Sequence, residues 1–269
     1  MKLSRRAVVA GLAAVALGAS LPLVAHAGAA PNPIRVGIIS GDAEDVWTVV
    51  AQEAKKHGLT IKVVTFNDYT QPNEALERGD LDANAFQHKP YLTNQIKTRG
   101  YHIVPVGNTA IFPIGLYSHK HKAVAELPAG AKIGVPNDPS NEGRALVLLQ
   151  DEGLIKLREG AGILSTTADI VANPKNLQVK ELDAGIVGRS IDDLDAAVVN
   201  TDWALKSNLT KNDRIATERA KNNPYANFIA VKTGQENEAW VRDLVASYEN
   251  DTIKETLLKV YKGTAIPAW

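Results

Sequence analysis

The sequence predicts a two-lobed α/β protein in which two α/β lobes are joined by two crossover strands. Three observations carry that prediction. Short β-rich runs alternate with helical patterns at the spacing of a mainly parallel sheet. The same strand–turn–helix grammar restarts in mid-chain, at Ala131. Two extended apolar passages, residues 110–117 and 226–231, are placed to carry the chain out of the first lobe and back again.

Taken in order, residues 1–27 read as a signal peptide. A charged start, Met1 to Arg6, precedes a 13-residue apolar stretch, Ala7 to Ala19, and Ala25-His26-Ala27 offers a small-residue cleavage site before Gly28. The stretch is well short of the ~20 residues of a membrane-spanning helix. Ser4-Arg5-Arg6 suits either the general secretory or the twin-arginine route. Residues 28–33, rich in Ala, Pro and Asn, are expected to be a disordered linker.

Ile34 to Ile39 is then a strand, closed by Ser40-Gly41-Asp42 and followed by a helical face of Val46, Val49, Val50 and Ala54. The next strand, Ile61 to Phe66, leads through Asn67-Asp68-Tyr69 into a helix carrying Ala75 and Leu76 and stopped by Gly79. In the second unit, Ala131 to Val135 is a strand, residues 136–141 a turn, and Ala145, Leu146, Leu148 and Leu149 the apolar face of a helix. Ser140 or Asn141 is expected to cap that helix, with Glu142 in its first turn. Leu194 to Val199 is a further buried strand, ending at Asn200-Thr201-Asp202. The chain closes on a helical pattern of Trp240, Leu244, Val245 and Tyr248, continued by Ile253, Leu257, Leu258 and Tyr261. The expected division is residues 34–115 plus 229–269 for lobe 1 and 116–228 for lobe 2. Ligands of open α/β sheets bind beyond the carboxyl ends of the strands, which places the expected site in the cleft between the lobes.

Composition narrows the function. The 30 basic and 30 acidic residues balance, and loss of residues 1–27 removes three basic residues (Lys2, Arg5, Arg6) and no acidic one, leaving a net charge of −3. A mildly acidic chain without a basic run is a poor candidate for nucleic acid or an anionic membrane surface. There is no cysteine. The exported chain therefore has no disulfide, and bacterial lipoproteins carry their lipid on a cysteine, so it is expected to be free in the periplasm.

Catalytic signatures are sparse: no Walker loop, no nucleophile elbow and no His-Glu-x-x-His pattern, and Gly160-Ala161-Gly162 lacks a third glycine. His119 and His121 would share one face of a strand as metal ligands, but Lys120 and Lys122 point instead to a solvated loop. No metal and no cofactor are expected. Three segments are richer. Phe86-Gln87-His88-Lys89-Pro90-Tyr91, with Tyr69 upstream, can wall a pocket for an apolar chain with a polar end; on composition alone, core residues around a structural histidine are the more ordinary reading. Residues 137–144 set a helix start beside Arg144, and both favour an anion; local pairing of Arg144 with Glu142 or Asp151 is the alternative. Asn200 and Asn227 lie at strand ends, where an amide oxygen can accept from an ammonium group or simply form a turn.

The segments Phe66-Asn67-Asp68-Tyr69, Gln71-Pro72-Asn73 and Asp82 to Leu92 closely resemble the methionine-binding lipoproteins of ABC importers, the NlpA family. Val135 to Ala145 and Asn223-Pro224-Tyr225-Ala226-Asn227 match two further signatures of that family, and the likeness runs from Ile34 to Trp269. The resemblance implies a periplasmic-binding-protein fold of the type II kind, acting as a monomer that binds methionine in the cleft and delivers it to an inner-membrane permease–ATPase complex. Carried over, Tyr69, Phe86, His88 and Tyr91 would surround the thioether chain and its polar end. Arg144 would bind the carboxylate, supported by Asn141, and Asn200 and Asn227 would hold the ammonium and backbone polar atoms. Gly28 stands where the family carries its lipidated cysteine, and Trp203 where a smaller aromatic is expected, so its indole is a candidate to reshape the pocket. The rival readings are another ligand, such as a methionine-containing dipeptide or a different amino acid, a periplasmic enzyme using His88 with Tyr69 or Asp68, and a surface adhesin.

Overall fold

The computed structural model describes residues 30–269; the expected signal peptide and the start of the linker lie outside the described residues, and Ala30 to Pro33 carry no helix or strand. The chain first lays down β1 (Ile34–Ile39), α1 (Asp42–Lys55), β2 (Ile61–Phe66), α2 (Gln71–Arg78), β3 (Ala83–His88), α3 (Lys89–Arg99) and β4 (Ile103–Ile111). It then builds a second unit from β5 (Gly115–Tyr117), β6 (Lys132–Pro136), α4 (Pro139–Asp151), the short hairpin β7 (Lys156–Leu157) with β8 (Ile170–Ala172), β9 (Gln178–Leu182), α5 (Ala184–Val187), β10 (Ala196–Val199), α6 (Thr201–Lys206) and β11 (Arg214–Thr217). The return to the first unit comprises β12 (Ala226–Lys232), α7 (Ala239–Tyr248), α8 (Asp251–Val260) and β13 (Ile266–Pro267).

Each unit is a mixed sheet. The first runs β13-β4-β12-β3-β1-β2, with β1 parallel to both β2 and β3 and the β12 side antiparallel. The second runs β11-β5-β10-β6-β9, parallel from β10 to β9 and antiparallel where β5 enters. The first chain crossing is Phe112 to Ile114. The second precedes Ala226, because Asn227 and Phe228 already pair with His88 and Gln87 of β3. The expected lobe boundaries therefore move. Gly115 pairs with Val199 and belongs to lobe 2, and residues 226–228 belong to lobe 1. The apolar run 226–231 is an interior strand of lobe 1 rather than a crossover.

Local chemistry explains the helix ends. Glu44 reaches back to accept the Gly41 N–H at 2.8 Å and opens α1, whose buried face is Val46, Trp47, Val50 and Ala54. Gly79 ends α2 in the left-handed conformation (φ 82°), which costs glycine little. The terminal helical pattern splits at Asn250, whose side chain accepts the Ile253 N–H and starts α8, and Leu258 turns outward. The cap of α4 is neither Ser140 nor Asn141 but Asp138, which accepts from the Asn141 backbone; Pro139 then fills the first helical position, where its missing N–H has no cost. Gly143 on α4 lets the 162–165 loop lie flush on the helix, since a Cβ there would meet the Ile163 carbonyl oxygen at 2.4 Å.

Packing follows the two sheets. Ile34, Val36 and Ile38 of β1 meet α1 and the Trp240–Leu244 face of α7, while Ile133, Val135 and Val198 meet Leu146 and Leu149 of α4. A third apolar cluster crosses between the lobes, joining Ile39, Phe86 and Tyr91 of lobe 1 to Tyr117, Val199 and Trp203 of lobe 2. The lobes are thus shut upon each other, and that closed seam surrounds the candidate site.

Candidate functional site

A narrow pocket lies in the seam. Its walls include all eight residues expected from the sequence: Tyr69, Phe86, His88, Tyr91 and Asn227 from lobe 1, and Asn141, Arg144 and Asn200 from lobe 2. Gln87, Phe112, Thr201 and Asp202 also line it and were not anticipated. Phe112 sits on the first crossing, so its role depends on where the chain changes lobe. Thr201 and Asp202 directly follow Asn200, and that adjacency was the available signal.

The aromatic wall is assembled from three elements. Tyr69 precedes α2, Phe86 projects from β3 and Tyr91 from the first turn of α3. Their ring centroids lie 5.9–6.1 Å apart, tilted or edge to face, as ring quadrupoles prefer. The Tyr91 hydroxyl donates to the Tyr69 carbonyl at 2.7 Å, and burial raises the Tyr91 phenol well above its usual pKa, so the group stays neutral. Trp203 stands behind Tyr69 at 5.5 Å and is 2% exposed; it does not line the cavity, so its indole acts on the pocket only through Tyr69. Beneath β3, the side-chain amides of Asn73, Asn84 and Gln87 bond one another over 2.7–3.1 Å in a buried network. Satisfied buried amides of this kind fix geometry, and here they hold the strand that presents Phe86 and His88.

His88 is a neutral hub. Its Nδ1 accepts the Tyr91 N–H at 3.2 Å, so the ring proton sits on Nε2 and is donated to Asn141 Oδ1 at 3.2 Å. Burial, reinforced by the nearby Arg144 charge, lowers its pKa to about 3. An unfolded histidine takes up its proton near 6.5. The neutral ring therefore contributes stability at neutral pH that is lost progressively as pH falls from about 6.5 to about 3. In urea titrations across that window, the wild type is expected to lose stability relative to His88→Gln by up to about 1.4 kcal/mol per pH unit. A difference that stays constant with pH would mean His88 is not buried neutral.

Asn141 does not support Arg144, as the resemblance implied. Its Oδ1 accepts from His88 and, at 3.0 Å, from Asn200 Nδ2, and its Nδ2 donates to both oxygens of Asp138 at 3.1 and 2.9 Å. The expected anion site at the start of α4 is occupied by the chain itself, since the Asp138 carboxylate takes the free N–H. Asn200 is left with Oδ1 buried and without a hydrogen-bond partner among the described residues. Asn227 spends its Nδ2 on the Phe86 carbonyl.

Arg144 is 3% exposed and pairs neither with Glu142 nor with Asp151. Its Nε and Nη2 grip Glu218 at 2.9 and 2.6 Å, Nη2 also donates to the Phe112 carbonyl, and the guanidinium lies 4.2 Å from the Tyr225 ring centre. Glu218 and Tyr225 are on the second crossing and Phe112 on the first, so this side chain ties both crossings to lobe 2. The two-point grip expected for a ligand carboxylate is already given to Glu218, and Nη1 is the nitrogen without a protein hydrogen bond among the described residues.

Nothing in the site pairs a base with a nucleophile. Asp68 accepts from Thr70 and Gln71 and is not bonded to His88, whose two nitrogens are both engaged. His119 and His121 lie in the loop after β5 and turn to different carboxylates, Asp192 at 2.7 Å and Asp195 at 3.7 Å.

The chain is similar in sequence and fold to known proteins. The NlpA lipoprotein family model matches residues 34–269. The D-methionine-binding lipoprotein MetQ of Escherichia coli is 48% identical over 243 residues, 89% of each chain. A nutrient binding protein from Burkholderia cenocepacia, solved bound to methionine, superposes with a TM-score of 0.86 at 51% identity, covering 88% of this chain and all of that one. The substrate binding protein of a methionine transporter from Streptococcus pneumoniae superposes with a TM-score of 0.83 at 37% identity, covering 89% of this chain and 96% of its own.

Proposed function

The chain belongs to the NlpA lipoprotein family, and from that premise we propose that it is the methionine-binding component of an ABC importer, a binding protein and not an enzyme. The observation that carries the reading is the seam cavity itself: a three-ring aromatic wall, one guanidinium and one buried amide oxygen lacking a donor, enclosed by both lobes. Those groups complement a thioether, a carboxylate and an ammonium. The thioether chain packs on Tyr69, Phe86 and Tyr91. The carboxylate is met by Arg144 through Nη1, and the ammonium donates to Asn200 and Asn227, while His88 and Asn141 hold these groups in place. Because walls come from both lobes, ligand contacts stabilise the closed arrangement, which is the form delivered to a membrane permease–ATPase complex.

The relatives are named lipoproteins, whereas this sequence has no cysteine to carry a lipid. We read the mature chain as a monomer acting in the periplasm after export.

Selectivity tests the function. Calorimetry is expected to show methionine binding at least about 100-fold more tightly than lysine or glutamate, because a third charge would enter the seam unpaired and cost several kcal/mol. The ligand should be recovered unchanged. Tighter binding of a charged amino acid would sink the methionine assignment.

A further inference from the structure

Asp202 is a carboxylate that the family signatures do not account for. It lies in the second position of α6, two residues after Asn200, and lines both the seam cavity and a second, adjoining pocket. Phe86, Phe112 and Asn227 are the other residues common to the two spaces. The one hydrogen bond its side chain receives among the described residues is from the Tyr261 hydroxyl, at 3.5 Å, the outer limit of such a contact. No basic side chain of the described residues pairs with it. Lys206, one helical turn on, instead donates to Ser40 and Asn67 and rests over the Trp203 ring. The second pocket is walled mainly by apolar side chains such as Val46, Trp47 and Leu257 and, among the described residues, brings no cation to the carboxylate.

The cavity's charge points the same way. Arg144 is neutralised by Glu218 within the protein. Asp202 therefore remains as the unpaired charge on the cavity wall, beside the donor-less Asn200 Oδ1 and Asn227, whose Nδ2 is spent on Phe86. An ammonium group brings three N–H donors, and these three side chains supply three acceptors, one of them anionic. We infer that the Asp202 carboxylate is the counter-ion of the ligand's ammonium group and makes the site demand a primary α-amine. This rests on the proposed methionine-binding function and adds the residue that reads the ligand's amine.

The test uses methionine and its deaminated analogue, 4-(methylthio)butanoate, against wild type and Asp202→Asn, with the ligand-free thermal midpoint as the folding control. Wild type is expected to prefer methionine by at least about 100-fold. In Asp202→Asn, methionine should weaken by about 30-fold or more while the deaminated acid changes by less than about threefold, collapsing the preference, as loss of one partner of a buried charge pair entails. Should the variant fail to fold, wild type alone decides through pH. Asp202 faces Asp42 at the start of α1, Lys206 on its own helix and Tyr261 at the end of α8, and burial foremost, then Asp42, raises its pKa to about 6. Methionine affinity should then fall as pH drops through about 6, approaching tenfold per unit, while affinity for the deaminated acid does not fall. Methionine binding that Asp202→Asn leaves within threefold, or that is flat with pH, would overturn the inference and leave the function standing. A wild type that binds no methionine at all would instead sink the function.

Discussion

Arg144→Ala is expected to weaken methionine binding by roughly thirtyfold to several thousandfold and, unlike a substitution at a solvated cleft residue, to lower stability as well. The binding loss is that of a charge-assisted contact in a closed site, on the order of 2–5 kcal/mol. The stability loss comes from Glu218. Its side chain is 14% exposed and takes both Nε and Nη2 of Arg144, so truncation leaves a largely buried carboxylate uncompensated. Breaking such a pair costs about 3–5 kcal/mol, and in a protein of this size each kcal/mol moves the thermal midpoint by about 2–4 °C. The two roles separate through Glu218→Gln, which removes the hinge partner but keeps the guanidinium. That variant should lose stability yet bind methionine within a few fold of wild type. Calorimetry beside thermal denaturation on both variants decides. A folded Arg144→Ala that binds normally would reduce the residue to a clamp on the crossings and place the ligand carboxylate elsewhere.

The fate of Arg144 also marks what a sequence can disclose. Its helix was legible because its signals are local: an acidic first turn and a 3.6-residue apolar repeat through Leu149. Strands β1 and β2 and the Gly79 stop were legible for the same reason. The partner of Arg144 was not, because Glu218 lies 74 residues away and meets it only after the chain has crossed lobes and turned back. Phe112 and Asp202 escaped notice likewise, since neither residue type is unusual where it stands and only the closed seam turns them inward. The motif residues divided in a way composition could not foresee. Phe86, Tyr91 and Asn200 face the cavity, whereas Asn73 and Asn84, equally prominent in the same signatures, lie off it, and Gln87, which reaches the cavity wall, spends its amide on both of them. A polar residue in a motif can serve a ligand or its own backbone, and only the hydrogen-bond ledger separates the two.

The same ledger makes Asn141 the other substitution with a large expected effect. Its side chain joins three groups: the Nε2–H of His88 in lobe 1, the Nδ2 of Asn200 in lobe 2, and the carboxylate of Asp138, which also accepts from the Ser140 hydroxyl and the Asn141 backbone. In Asn141→Ala the His88 and Asn200 donors are each left in a buried seam with that hydrogen bond unmade, at about 1–3 kcal/mol apiece before water enters. The His88 contact is a side-chain hydrogen bond between the lobes, so part of that cost falls on closure itself and reaches binding even though Asn141 has no free atom to offer the ligand. Methionine affinity is expected to drop by about 30- to 1,000-fold, corresponding to roughly 2–4 kcal/mol. Two readouts distinguish loss of positioning from simple unfolding. X-ray scattering of the ligand-free variant should show a larger radius of gyration than wild type, as an open pair of lobes requires. Asn141→Asp should bind poorly at neutral pH, and its deficit relative to wild type at the same pH should shrink as pH falls, because its new carboxylate faces Asp138, whose pKa burial already raises. If Asn141→Ala stays compact and binds within threefold of wild type, the seam is held by its other contacts and the amide hub has no part in closure.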